Sequence, residues 1–189
     1  MKTSEIENIK LVTSNENKLR EFRRFGIENI EIEKGIDLPE VNSDPITVVK
    51  HKANDAGPNR LIEDTNFDVE NMDVGVNIRW LISSLKSDKS IIGRNAVWTV
   101  YLGFNDGSNI YVYKGEIKGK ISESSGEGFG FDPIFTPNES KYTLAELEKM
   151  NKKDDFSARL NAVKNFMNNN YIEKIKINNI EPWSGEYQH

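Results

Sequence analysis

The sequence predicts an α/β protein with a mixed β-sheet flanked by helices. Three patterns carry that reading. The chain opens with β-α units, its middle third holds two long β-rich runs on either side of an Asp-Gly pair, and its last third shows helical periodicity. Strands that alternate with helices pair in parallel and a tight hairpin pairs antiparallel, so together they give a sheet of both kinds.

The elements follow in order. Ile9-Lys10-Leu11-Val12-Thr13 is a β-rich run that stops at Ser14-Asn15-Glu16-Asn17. A charged helix from Lys18 to Phe25 comes next, with Ser14 or Asn15 as its cap and Gly26 just past its end. Residues 30–34 alternate as a second strand, and Asp37-Leu38-Pro39-Glu40 reads as a turn. Thr47 is placed to cap a helix from Val48 to Ala56, which Gly57-Pro58 ends. Arg60-Leu61-Ile62 is a short strand that runs into Glu63-Asp64-Thr65. From Asn77 to Leu85, the residues Ile78, Leu81, Ile82 and Leu85 recur at helical spacing. Residues 96–104 and 110–121 are the two long strands, and Asp106-Gly107 turns the hairpin between them. Two helices are expected at 142–150, with Thr143 as a cap, and at 156–168, with Leu160, Val163 and Phe166 or Met167 inward. A strand at 172–177 ends the readable pattern.

At 189 residues the chain amounts to about one domain. It has no Cys, which excludes disulfides, thiolate metal sites and a Cys nucleophile, and only two His, which excludes a zinc site built on imidazoles. No apolar run approaches the ~18 residues of a membrane-spanning helix, and the opening MKTSEIENIK lacks the apolar region of a signal peptide. A net charge of −5 speaks against a general nucleic-acid binder. A cytoplasmic protein is expected, and any metal it uses should be a hard ion on carboxylates, such as Mg²⁺.

Four segments could carry chemistry, and each has a plainer reading beside it. Thr13 to Lys18 turns from a strand into a helix, where N–H groups and the helix dipole gather; with Asn15 and Lys18 it forms a phosphate cradle, or else an ordinary capped helix start. Glu40 and Glu63-Asp64 are carboxylates suited to Mg²⁺ and to activating water, or else solvated turn acids. Gly128-Phe129-Gly130-Phe131-Asp132-Pro133-Ile134-Phe135 interleaves glycines with aromatics, either to stack on a flat base or to fill core at a buried turn. Lys152 to Arg159 offers Lys153, Ser157 and Arg159 to a phosphate or a base edge, or is a charged helix start.

In this order the segments resemble the inosine triphosphate pyrophosphatase family, whose members hydrolyse non-standard purine nucleoside triphosphates. Thr13-Ser14-Asn15-Glu16-Asn17-Lys18 is similar to the family's Thr-Gly-Asn-x-x-Lys stretch, and Asp37-Leu38-Pro39-Glu40 to its metal-binding segment. Lys52-Ala53, Glu63-Asp64-Thr65, Gly75 to Trp80, Ala145-Glu146-Leu147 and Lys153 to Arg159 fall where the family has its further motifs. Gly128 to Phe135 matches the family's Gly-Phe-Gly-aromatic-Asp-Pro-Ile-Phe signature nearly residue for residue. The similarity spans about residues 9–168.

The resemblance implies an elongated mixed sheet with two helical lobes and a nucleotide cleft between them, in one pyrophosphatase domain over residues 1–170, with 171–189 an extension of no assigned role. It implies a homodimer and Mg²⁺-dependent attack of water that releases pyrophosphate from ITP, dITP or XTP. Thr13, Ser14, Asn15, Lys18 and Lys52 would hold the triphosphate, and Glu40 and Asp64 would bind Mg²⁺. Asp64 would activate the water with Glu63 in support. Phe129 and Phe131 would line the base, and Asp132, Lys153, Ser157 and Arg159 would read its edge. Two departures stand out: Ser14 replaces a Gly, and Ala158 replaces a His that contacts the six-position oxygen of the base, so selectivity is expected to be relaxed or moved. Two other readings are weaker. A catalytically reduced nucleotide-binding protein of the same fold is opposed by the intact acids and lysines, and a nucleic-acid module by the net charge.

Overall fold

The computed structural model describes residues 6–72 and 78–188. Among them, strands β1 (Lys10–Val12), β2 (Glu31–Glu33), β3 (Arg60–Val69), β4 (Asn95–Asn105), β5 (Asn109–Ile121), β6 (Phe135–Pro137) and β7 (Glu173–Lys176) form one sheet. Its order is β2-β1-β3-β4-β5-β6, with β7 also on β5. Five helices, α1 (Glu16–Arg24), α2 (Pro45–Ala56), α3 (Ile78–Ser87), α4 (Leu144–Lys149) and α5 (Ala158–Met167), accompany it. The expected mixed sheet is present: β1 pairs in parallel with β2 and β3, and β5 antiparallel with β6 and β7. The described residues divide into two compact units, one within Met1–Asp64, Val100–Gly115 and Arg159–His189, the other within Thr65–Thr99 and Glu116–Ala158.

In the first unit, α1 and α2 are the crossovers that parallel pairing demands. Asn15 starts α1: its side-chain oxygen accepts the N–H groups of Asn17 at 3.0 Å and Lys18 at 3.4 Å. Leu19 and Phe22 are the buried stripe of that helix. The chain leaves it at Gly26 with φ +127°, where a Cβ would meet the Met167 sulfur at 2.7 Å. Helix α2 begins three residues earlier than Val48, because Asp44 and Pro45, not Thr47, make its start. Asp44 accepts from the Thr47 N–H at 3.0 Å and from its hydroxyl at 2.7 Å, and that hydroxyl holds the carboxyl below its ordinary value. Val49 and Ala53 of α2 pack with Ile62, Ile110 and Val112 of the sheet. Strand β3 does not stop at Ile62; Glu63 and Asp64 lie within it. Phe166, not the exposed Met167, faces inward from α5, edge-on to Phe104 and Tyr113.

The second unit is organised around aromatic rings. Phe67, Trp98, Phe131 and Phe135 pack against one another. Leu81 and Leu85 bury one face of α3, while Gly75 and Asn77 of the expected turn lie outside the described residues. Thr143 caps α4 in a capping box with Glu146, and its hydroxyl donates to the Ser125 carbonyl at 2.7 Å. The single helix expected at 156–168 is divided: a 3-10 turn covers Lys153–Phe156, Ser157 is extended, and α5 begins at Ala158.

Candidate functional site

Side chains alternate along a strand, so Glu63 and Asp64 of β3 meet different neighbours. Glu63, with a side chain only 3% exposed, accepts two bonds from the Arg159 guanidinium, 2.6 Å from Nε and 3.0 Å from Nη2, and pairs with Lys18 Nζ at 3.1 Å. Arg159 gives its remaining edge to Glu21, 2.6 Å from Nη1. A bidentate guanidinium–carboxylate pair is the strongest form of such a contact. Burial pushes the Glu63 carboxyl up, but Arg159 and then Lys18 pull it down harder, and it comes to about 2. Burial acts to lower the Arg159 guanidinium, yet Glu63 and Glu21 outweigh it and raise the group above its ordinary value. At neutral pH Glu63 is therefore a fixed anion and a poor proton acceptor.

Asp64 meets α2 instead. Lys52, its side chain 12% exposed, places Nζ 3.6 Å from Asp64 Oδ1 and 2.5 Å from Glu40 Oε1. Two carboxylates from distant parts of the chain thus converge on one cation. That donor set suits a hard divalent ion, which takes one or two carboxylates and completes its shell with water and phosphate. No group of three or more acidic or imidazole ligands occurs among the described residues.

Thr13, Ser14 and Asn15 form the turn into α1, where Thr13 Oγ1 accepts the Asn15 N–H at 3.1 Å. Ser14 does not have a positive φ, so its Cβ brings no strain to the position expected of a Gly. Thr13, Ser14, Asn15, Lys18, Glu40, Lys52, Glu63, Asp64 and Arg159 all lie in the first unit. Glu21 is the member that the sequence did not single out; it stands three residues after Lys18 on α1, a spacing that brings side chains together.

The second unit holds Phe129, Phe131, Asp132, Lys153 and Ser157. Phe129 is 95% exposed. Phe131 lies face to face with Phe67, centroids 4.2 Å apart, and takes the edge of Trp98. The two phenylalanines thus divide the alternatives: one ring is presented to solvent and the other is packed. Gly128 lets the loop close on α4, since a Cβ there would lie 3.0 Å from those of Ala145 and Asp132. Lys153 Nζ donates to Asp132 Oδ2 at 2.5 Å. Ser157 and Ala158 are both buried.

With the geometry in place, comparison with known proteins gives a consistent result. The model of the Ham1 family matches residues 9–169. A dITP/XTP pyrophosphatase of Saccharolobus solfataricus is 31% identical over 186 residues, covering 88% of this chain and 96% of that protein. An inosine triphosphate pyrophosphatase of Kluyveromyces lactis is 32% identical, with 76% and 86% covered. Among solved structures, the Ham1 protein of Staphylococcus aureus shares the fold, with a TM-score of 0.69 at 20% identity over 86% of this chain and 97% of that one.

Proposed function

The chain belongs to the Ham1 family, and from that premise we propose that it hydrolyses non-standard purine nucleoside triphosphates, among them ITP, dITP and XTP, to the monophosphate and pyrophosphate. The observation that carries the reading is the convergence of Glu40 and Asp64 on the Lys52 ammonium. Acids for a metal and a cation for phosphate stand together there, as hydrolysis of a polyphosphate requires.

In this reading Glu40 and Asp64 hold Mg²⁺, which when bound supplies positive charge to the leaving pyrophosphate. Lys52, Lys18 and the Thr13-Ser14-Asn15 turn at the start of α1 hold the triphosphate. Asp64 orients the attacking water and takes its proton. Glu63, kept ionised by Arg159 and Lys18, sets the position of Lys18. Arg159, which the family motif would send to the base edge, spends its guanidinium on Glu63 and Glu21, and its role becomes that of holding Glu63. Phe129 offers a free face to the base, Phe131 a ring backed by Phe67, and the Asp132–Lys153 pair reads the base edge. With Ala158 buried and apolar, that position gives no polar contact to a base, and the discrimination against ATP and GTP falls. We place the activity in the cytoplasmic nucleotide pool, in a homodimer whose mass light scattering would measure.

The test is pyrophosphate release from ITP, XTP, dITP and the standard nucleoside triphosphates, with and without Mg²⁺. Asp64→Asn should lower kcat by roughly 10²-fold or more. A loss below about threefold removes the role given to Asp64, and release from none of these substrates removes the reading altogether.

A further inference from the structure

Glu40 lies in an irregular stretch between β2 and α2, so no helix or strand of its own fixes it. It is fixed by a segment far away in sequence. Val41 forms an antiparallel bridge with Tyr187. The Gln188 N–H donates to the Glu40 carbonyl at 2.7 Å, the Asn42 N–H to the Glu186 carbonyl at 2.9 Å, and the Gln188 side-chain amide to the Val41 carbonyl at 3.0 Å. At its other end the segment is seated on α2. Trp183 meets His51 edge-on with centroids 5.5 Å apart, and its indole N–H donates to the Glu186 carbonyl at 2.8 Å. Gly185 permits that fold: a Cβ there would lie 2.6 Å from the Trp183 ring. Ile177 and Ile180 pack against the cluster that includes Val49 and Ala53 of α2. His51 is followed by Lys52, whose ammonium returns to the Glu40 carboxylate. The contacts close a circuit that begins and ends at Glu40.

We propose that residues 177–188 are a positioning element for the reaction, which through Gln188 and Trp183 holds Glu40 where it shares a cation with Asp64. The inference rests on the metal role proposed for Glu40 and deepens it. The segment lies beyond residue 169, where the family match ends, so this chain fixes its first acid by means outside the matched region. A carboxylate on an irregular stretch loses freedom when it takes a metal; main-chain bonds made beforehand remove part of that cost.

Gln188→Pro tests the idea, because proline has no N–H to give the Glu40 carbonyl and leaves the preceding residue extended, as Tyr187 already is in its bridge. Gln188→Ala keeps the N–H, and Trp183→Leu loosens the far end of the segment while keeping every main-chain donor. Two quantities are read: the Mg²⁺ concentration for half-maximal pyrophosphate release, and Mn²⁺ affinity by water-proton relaxation with the α,β-methylene analogue of inosine triphosphate, which does not turn over. Gln188→Pro should weaken both by about fivefold or more, the scale of one hydrogen bond, with kcat at saturating Mg²⁺ within about twofold of wild type. Gln188→Ala should fall between the two, and Trp183→Leu should move in the same direction. If Gln188→Pro does not fold, Trp183→Leu decides alone. Wild-type metal dependence in the folded variants, beside a Glu40→Gln protein that has lost it, overturns the positioning role and leaves the metal reading intact. An unchanged metal dependence in Glu40→Gln overturns both.

Discussion

Replacing Glu63 by Gln takes one negative charge out of a nearly closed cluster and leaves Arg159 and Lys18 without their shared partner. The cost follows from the structure. The carboxyl drops from an ordinary 4.5 to about 2, and at about 1.4 kcal/mol per pH unit that is about 3 kcal/mol of folding stability at neutral pH. Breaking a buried ion pair from one side has a similar cost, about 3–5 kcal/mol. The sign is fixed by the direction of the change. A carboxyl lowered on folding contributes its full stability above 4.5 and loses it as the pH falls toward about 2. Urea unfolding of wild type and Glu63→Gln from pH 7 to pH 3 should therefore show a gap of about 3 kcal/mol at pH 7 that narrows by about half at pH 3. A gap below about 1 kcal/mol at neutral pH, or one that stays constant over the range, would refute the cluster as a source of stability.

Two further outcomes are expected. Phe129→Ala should leave the thermal midpoint unchanged, since the ring is 95% exposed, and raise KM for inosine triphosphate about fivefold or more, the scale of one stacked base; an unchanged KM separates the ring from the substrate. Gly119→Ala should lower stability by about 2 kcal/mol or more, because its Cβ would lie 2.3 Å from the Thr136 carbonyl oxygen and 2.7 Å from the Phe135 ring. A wild-type melting curve for that variant would mean that β5 and β6 can separate at no cost.

Local signals were readable where the chemistry is local. The cap of α1 at Ser14 or Asn15, the Asp-Gly hairpin and the Thr143 cap each need only a few neighbouring residues, and all are found, with Asn15 as the α1 cap. The errors have physical causes. The apolar pattern of β3 ends at Ile62, where Glu63-Asp64-Thr65 begins, yet polar residues continue a strand when they find partners, as Glu63 does in Arg159. A hydroxyl is a good cap, so Thr47 points to a start at Val48, although Asp44-Pro45 carries the stronger signal, a carboxylate followed by a residue with its φ already helical. For the candidate site, the residue types were legible from the motifs but their partners were not. Nothing local ties Arg159 to Glu63, 96 positions away, or Gln188 to Val41, 147 positions away.

Lys52 lodges its amine between Glu40 and Asp64, and this has a consequence for the order of events. The amine's positive charge offsets the mutual repulsion of the two acids. On the metal role proposed for these acids, a divalent ion would compete with that amine for the same oxygens, and an amine so displaced would be available to a phosphate. Metal entry and substrate capture would then be linked through one side chain.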